Sequence, residues 1–432
     1  MNICTVILGA GNGSRMKSEI PKPFHEIANL PLIDWVLNVC SSFKVDKKII
    51  VTSKNIDYTQ YSKTNEIILQ KEQLGTGNAV LQTFDKLKTF NGVVIVCFAD
   101  TPFITRKTIK KLIQAIKNGN EIAITSFKKN EKNSYGKIIL SSDKNPIKIT
   151  EDKQGLINSN LCNGGIMAFN SKCMFKLLTK IKPDKVFNEY YLTEVIEIAA
   201  KEKLNIKLID IYEDEIIGIN SRSDLAVAEN IAQMRLRTSL LDAGVTLIDP
   251  NTTYLSYDSI IQKDVTIFPN VFIGKGVKIY SGTTILPFCH LESCILKNNV
   301  SIGPFARIRG NTILNNNIKI GNFVELKNVN AKKDVKINHL SYIGDTSIGV
   351  STNIGAGTIT CNFDGFNKNK TTIGYNTFIG SNTTIVAPLR IGNYSTTGAG
   401  SVITENVKSG DLAIGRERQI VKKGRSINKK KN

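Results

Sequence analysis

The chain has 432 residues, with 57 Lys and Arg against 37 Asp and Glu, a formal net charge of +20 and 41% hydrophobic residues. That length implies two or three domains, each able to bury its own core. No apolar run approaches the roughly 20 residues of a membrane span, which argues against a helical membrane protein.

The excess of Lys and Arg is scattered; only the tail from Lys422 forms a compact basic block. Polyanionic small substrates account for such a surplus as well as nucleic acid does, and the sequence carries no nucleic-acid-binding module. Eight cysteines without a C-x-x-C pair read as free thiols of a reducing compartment. The first residues lack a basic flank and a full apolar core, so no export signal is expected and the location expected is cytoplasmic.

From residue 1 to about 222, short β-branched runs alternate with helical patterns. Strands are expected over 5–8, 48–52, 93–98, 122–126 and 206–210, and helices over 32–42, 77–87, 107–117 and 190–201. Such alternation predicts an α/β fold with a mostly parallel sheet covered on both faces. The first strand runs into Leu8-Gly-Ala-Gly-Asn-Gly-Ser-Arg15-Met16, followed by Pro21-Lys22-Pro23. Glycines directly after a strand let backbone N–H groups approach phosphate oxygens. The spacing matches neither a Walker A loop nor G-x-G-x-x-G. Its distinguishing feature is two cations, Arg15 and Lys22, just beyond the turn, as suits a nucleoside triphosphate attacked at its α-phosphorus. A plain structural turn is the alternative.

Further along, Gln70-Lys-Glu-Gln-Leu-Gly75-Thr76 offers amides and a close backbone suited to a pyrimidine edge. The strand over 93–98 delivers Phe98-Ala99-Asp100 at its carboxyl end, where α/β sheets bind ligands. An aspartate there suits Mg²⁺, and capping the helix over 107–117 is its competing role. Residues 223–243 form a linker helix, capped by Asp224 or Ser223 and stopping near Gly244.

The remainder, 244–432, places an apolar residue at every sixth position in phase-locked runs: Ile267, Ile273, Ile279, Ile285, Leu291; then Ile302, Ile308, Leu314, Ile320, Leu326; then Ile373, Ile379, Ile385, Ile391, Thr397, Ile403. A six-residue period predicts a parallel β-helix whose triangular coil points one aliphatic side chain inward per face. One non-periodic stretch, 361–371, interrupts it and is a candidate functional loop. His339 stands in Asn-His-Leu-Ser-Tyr-Ile-Gly-Asp; a lone histidine on a coil corner is more often structural, although a neutral imidazole is also a suitable base near pH 7.

Taken together, L-x-A-G-x-G-S-R-M…P-K, Q-x-E-Q-L-G-T, the later C-N-G-G-I and the hexapeptide region resemble the bacterial bifunctional N-acetylglucosamine-1-phosphate uridylyltransferase/glucosamine-1-phosphate acetyltransferase family, over nearly the whole chain and in the same order. The resemblance implies a Rossmann-like nucleotidyltransferase domain (1–222), a linker helix (223–243) and a left-handed parallel β-helix acetyltransferase domain (244–432) ending in a basic tail. It implies that Leu8, Gly9, Ala10, Gly11, Gln70, Gly75, Thr76, Phe98 and Ala99 hold the uridine nucleotide, and that Arg15 and Lys22 bind the phosphates in transfer. Asp100 and Asn220 would ligate Mg²⁺, and Gly136, Glu151 and Asn163 would hold the amino-sugar. In the acetyl half, His339 would be the base, and Arg309, Lys327, Tyr342 and Asn353 would bind glucosamine 1-phosphate. Ala356, Asn362, Phe363, Ser381, Ala399 and Arg416 would bind acetyl-CoA. A homotrimer is implied as well, with UTP, glucosamine 1-phosphate and acetyl-CoA as substrates and a product that feeds cell-envelope polymers.

The sequence departs from the family pattern at Gly9, where Ala is usual, at Phe98-Ala99, at Gly164, where Thr is usual, and at Phe363, where Tyr is usual. The change to Ala99 is harmful only if that backbone requires a positive φ. Two rival readings stay open at this level. In one, only the uridylyltransferase is active and the β-helix is a trimerisation scaffold. In the other, the charge serves nucleic-acid binding or assembly.

Overall fold

The computed structural model describes residues 1–11, 13–130, 133, 135–150, 159–184 and 188–425. Its chain divides into two compact units, Met1–Asn230 and Ile231–Asn432. Among the described residues, no helix is long and apolar enough to cross a membrane.

The first unit is built on a sheet of strands β1 (Asn2–Leu8), β2 (Lys47–Thr52), β3 (Glu66–Leu69), β4 (Gly92–Phe98), β5 (Ile122–Lys128), β6 (Lys137–Leu140), β7 (Pro146–Thr150), β8 (Leu161–Asn170) and β9 (Ile206–Asp210). Its order is β9-β5-β8-β4-β1-β2-β3, with the β6–β7 hairpin attached to β8. Most neighbours are parallel, but β8 runs antiparallel to both β4 and β5. The expected strands are all present, whereas β3, β8 and the hairpin were not read from the sequence.

Strand β4 shows why the sheet is covered twice. Val93, Ile95 and Cys97 enter one core with α1 (Leu32–Ser41) and α4 (Arg106–Lys117), while Val94 and Val96 enter the other with α2 (Thr76–Leu81), α5 (Ser171–Leu178) and α6 (Glu194–Lys201). Period-two alternation thus places both sets of side chains out of water, the pattern of a parallel sheet buried on both faces. The single helix expected over 77–87 is two, because α3 (Phe84–Leu87) restarts after a break at Gln82 and Thr83. Thr83 turns its hydroxyl back onto the Val80 carbonyl at 2.7 Å, competing with the helical ladder.

Helix α7 (Arg222–Asp242) contains the boundary between the two units. Its cap is neither of the residues expected. Ser221 Oγ accepts the Asp224 N–H at 3.1 Å, and Asp224 Oδ2 accepts the N–H groups of Ser221 and Asn220 at 2.9 Å each. Residues 221–224 therefore form a capping box, with the carboxylate reaching back from the third helical position.

The second unit is a left-handed parallel β-helix of three stacked sheets, whose first, second and third ladders hold ten, nine and eight short strands among the described residues. Every residue of the three predicted series is buried, from Ile267 to Ile403. One expectation needs correction: each face points two side chains inward, not one. The residue two positions earlier is also buried and, Leu389 apart, is small or β-branched, as at Val265, Val271, Thr283, Ala306, Thr312 and Ser401. Beyond the first coil, which takes eight residues from Leu247 to Leu255, the phase breaks have a single place. Steps between ladders there stay at six residues except from the second ladder to the third, where they fall to five from Leu291 to Leu296, Leu326 to Ala331 and Ile343 to Ile348. The loop at 361–371 lies at the same corner, between Ile359–Cys361 and Thr371–Ile373. At the start of the prism, Leu236 and Leu240 of α7 pack on its core, and Gln233 pairs with both backbone groups of Leu255 at 2.8 and 2.9 Å.

Because each coil packs only on its neighbours, Ile320→Ala is expected to destabilise the second unit by about 2–5 kcal/mol. Denaturant unfolding followed on the full chain measures it, and an unshifted midpoint would contradict the packing described.

Candidate functional sites

The carboxyl ends of β1 and β4 meet a cavity of ≈ 350 Å³. Leu8, Ala10, Gly11, Gln70, Gly75, Thr76, Phe98 and Asp100 line it, all of them expected; Gln73, Ala79, Glu189 and Tyr191 line it too and were missed. Gln70 is buried, and its Nε2 donates to Gly75 O at 3.1 Å and to Asn78 Oδ1 at 3.0 Å. With both amide protons used, its Oε1 is left as an acceptor suited to an imide N–H. Gln73 holds the glycine turn by donating to Ala10 O at 2.8 Å. Gly75 has φ +96, and a Cβ there would lie 2.7 Å from the Tyr190 carbonyl, so the segment bearing Glu189 and Tyr191 docks only against glycine. The repeated Gln of Q-x-x-Q and the polar-aromatic run at 188–191 were the available signals for the missed residues.

The cations and metal candidates converge at one end of this cavity. Asn220 Oδ1 accepts from Arg15 Nη2 at 2.9 Å and from Lys22 Nζ at 2.8 Å, and Lys22 also pairs with the Asp100 carboxylate. Ile219 N donates to Asp100 O at 3.0 Å, tying the two oxygen-bearing segments together. Asp100 is not a helix cap: Thr105 caps α4, its side chain accepting from Thr108 N. Burial opposes the charge on Asp224, yet the N–H groups of Asn220 and Ser221, the Ser221 hydroxyl and the Arg15 guanidinium hold its carboxyl below the usual range. Two hard oxygens, Asp100 Oδ and Asn220 Oδ1, already share one cation, the Lys22 ammonium. That donor set fits Mg²⁺, which takes one or two protein ligands beside water and phosphate. No cluster of three His, Cys, Asp or Glu exists among the described residues to suit a more demanding metal.

The expected amino-sugar residues are partly joined. Asn163 N donates to Gly136 O at 2.8 Å, and Gly165 sits within 3.5 Å of the Phe98 ring if given a Cβ. Glu151 lies outside the described residues. Ala99 keeps a negative φ, so its side chain is tolerated.

In the second unit the expected residues, Asn353 apart, fall along one face and its two edges. His339 ends a strand of the first ladder, at the corner leading into the second. One column of corners links Asn322, His339, Ala356, Ser381, Ala399 and Arg416: Leu340 N reaches Asn322 O at 3.0 Å, Gly357 N reaches His339 O at 3.2 Å, Asn382 N reaches Ala356 O at 2.7 Å, Gly400 N reaches Ser381 O at 2.8 Å and Arg416 Nε reaches Ala399 O at 2.8 Å. The far edge of the second ladder carries Arg309 and Lys327 as Cα partners, with Tyr342 between the edges. Arg309 Nε donates to Glu325 Oε1 at 2.7 Å.

Asn322, which sequence reasoning missed, faces His339 Nδ1 with Oδ1 at 2.7 Å. An oxygen acceptor there requires the proton on Nδ1, which leaves Nε2 free as a base. Besides Arg309, Lys327 and Tyr342, three more expected residues lie off this column. Asn353 lies on the first ladder, where it borders a separate cavity with Lys336 and Asp334. Asn362 and Phe363 lie at the opposite corner, where Asn362 binds the Asp345 carboxylate and Lys368 Nζ sits 4.0 Å from the Phe363 ring centre.

Residues 5–179 match the family model of the MobA-like NTP transferase domain. Relatives named bifunctional protein GlmU match almost end to end. That of Paramagnetospirillum magneticum is 38% identical over 427 residues, 98% of this chain and 95% of the relative. Those of Ruegeria sp. and Bartonella bacilliformis are 41% and 42% identical over 434 residues, 99% of this chain and 96% of each relative. A solved UDP-glucose pyrophosphorylase complexed with UDP-glucose covers 54% of this chain at 20% identity and a TM-score of 0.44, too distant to bear on the sites.

A Cβ on Gly9 would lie 2.3 Å from the Tyr58 hydroxyl. Gly9→Ala is therefore expected to cost about 1–3 kcal/mol of stability and to slow chemistry in the cavity, with Tyr58→Phe in the same chain restoring much of both. A Gly9→Ala chain that unfolds at the parent's midpoint would show that Tyr58 does not occupy that space.

Proposed function

The chain belongs to the bifunctional GlmU family, and we propose how its residues divide the synthesis of UDP-N-acetylglucosamine. Acetyl transfer from acetyl-CoA to glucosamine 1-phosphate takes place on the β-helix (244–432), and uridylyl transfer from UTP to the resulting N-acetylglucosamine 1-phosphate, with release of pyrophosphate, takes place in the α/β region (1–222).

The observation that supports the acetyl half best is the His339–Asn322 pair at 2.7 Å. His339 Nε2 takes the proton as the amine attacks the thioester carbonyl, and Asn322 steadies the imidazolium formed. Arg309 and Lys327, across the face, bind the phosphate dianion by charge-assisted hydrogen bonds. The thioester approaches along the column of Ala356, Ser381, Ala399 and Arg416. Asn353, Asn362 and Phe363 lie away from that column within one chain, so a neighbouring copy supplies their contacts in a homotrimer. This arrangement, with phosphate ligands and a base sharing one face, favours an active acetyltransferase over a bare scaffold.

In the uridylyl half, Gln70 Oε1 accepts from the uracil imide, and the backbone of Gly75 and residues 9–11 seats the base and the first phosphates. Arg15 and Lys22 hold the pyrophosphate end, with Lys22 exchanging its Asp100 contact for phosphate oxygen. The sugar phosphate, placed by Gly136, Glu151 and Asn163, attacks the α-phosphorus in line. Mg²⁺ on Asp100 and Asn220 supplies neutralising charge to the phosphates when bound.

One incubation with glucosamine 1-phosphate, acetyl-CoA, UTP and Mg²⁺ tests both halves if CoA thiol and pyrophosphate are read separately. His339→Ala is expected to cut thiol release by 10²–10⁴-fold, the typical range for a general base, while pyrophosphate release from supplied N-acetylglucosamine 1-phosphate continues. Unchanged thiol release would remove His339 from the mechanism. Chelating Mg²⁺ is expected to give the reverse pattern, stopping pyrophosphate while thiol release persists.

A further inference from the structure

We propose that Arg222 is a positioning residue of the uridylyl-transfer site, locking the turn that carries Arg15 to the turn that carries Lys22; this rests on the uridylyltransferase reading above. Both turns are single 3-10 turns, Ser14–Met16 and Lys22–Phe24. The first is flanked by left-handed residues, Gly13 at φ 61 and Lys17 at φ 47, and its own bonds are Met16 N to Gly13 O at 2.9 Å and Lys17 N to Ser14 O at 3.2 Å. A turn this short has little intrinsic rigidity, so an outside anchor sets where its cation points.

Arg222 provides that anchor to both turns at once. Its Nε donates to Met16 O at 3.3 Å, the residue after Arg15. Its Nη1 lies 3.3 Å from Nδ1 of His25, whose own N–H closes the second turn on Lys22 O at 3.3 Å. A guanidinium can only donate, so Nδ1 is the acceptor and His25 is the neutral Nε2–H tautomer. His25 is buried, and the Arg222 contact ties its Nδ1 to the helix start. Burial first, and then the Arg222 charge, lower its pKa in keeping with that neutral form.

The segment leading into the same helix presents Asn220, whose Oδ1 receives the two cations from the other side. Arg15 and Lys22 are thus held at their heads by Asn220 and at their backbones by Arg222, two residues further along the chain. Like charges would otherwise drive the two turns apart before a polyphosphate arrives. The planar fork of arginine suits a task that needs two donors at fixed separation, whereas lysine brings a point charge on a flexible stem.

The test uses the full-length chain and its Arg222→Ala and Arg222→Lys variants, with pyrophosphate release and UTP binding measured separately. The nucleoside end of the cavity, at Gln70, Gly75 and Thr76, does not touch Arg222. Both variants are therefore expected to bind UTP within about threefold of the parent, while kcat falls by about tenfold or more, the scale of a misplaced charged group. Arg222 is exposed, so added guanidinium ion should restore part of the kcat of Arg222→Ala and nothing to the parent. Parent-like kcat in Arg222→Ala would overturn the proposal. So would joint loss of UTP binding and kcat without guanidinium rescue, which would mark a merely structural arginine. Absence of pyrophosphate release from the parent chain would instead sink the reading of the site itself.

Discussion

The α/β unit has to hold positive charge together in the absence of the polyanion it is shaped for. Arg15 and Lys22 share one uncharged oxygen, Asn220 Oδ1, and the nearby carboxylate of Asp100 answers only one of them. Such a cluster stays assembled because its oxygens are fixed by covalent and helical structure. Asn220 precedes the capping box of α7, and its own N–H is taken by Asp224. The site is therefore electrostatically unfinished, and in the function proposed above a triphosphate with its metal completes it. That incompleteness is a form of preorganisation: the dipoles and charges stand in place before the reaction needs them.

The β-helix solves a different problem with a different device. Stacking turns residues 17 or 18 apart in sequence into neighbours, as with Asn322 and His339 or Asp258 and Gly276. Beyond the first coil two corners keep a strict six-residue step, so any column along them stays in register. From that coil on, variation in length, including the 361–371 loop, is confined to the corner between the second and third ladders. His339 and the column above it use a regular corner, where position is set by hydrogen-bonded pitch. The adaptable loop sits where the coil can lose or gain residues without shifting its neighbours.

How much of this is legible in the sequence follows from the range of each interaction. The hexad series, the strand leading to Asp100 and the glycine turn are local, and periodicity and turn chemistry reveal them. The inward partners two positions before each aliphatic escaped notice because Val, Thr, Ala and Ser alternate there, and only closeness to the prism axis makes those types equivalent. Antiparallel β8 escaped because its register shifts between Asn163 and Met167, blurring the alternation. Gln73, Glu189 and Tyr191 reach the cavity at the ends of β1 and β4 through pairing of residues 74–77 with 190–192, a tertiary contact that leaves no mark on either segment alone. Asn322 is invisible until the coils stack.

The departures from the family pattern show why single positions mislead. Gly9 and Gly164 each lack a side chain where one is usual, yet neither leaves a void. The Tyr58 hydroxyl stands 2.3 Å from where a Gly9 Cβ would be, and Thr125 Oγ1 stands 2.5 Å from where a Gly164 Cβ would be. Thr125 in addition bonds both backbone groups of Ile166, at 3.0 and 3.1 Å. Interiors are close-packed, so volume removed at one residue reappears at another. Neither glycine is then a weakened version of the site. Each belongs to a local pair, and replacing it with the residue usual in the family would overfill the space its neighbour already occupies.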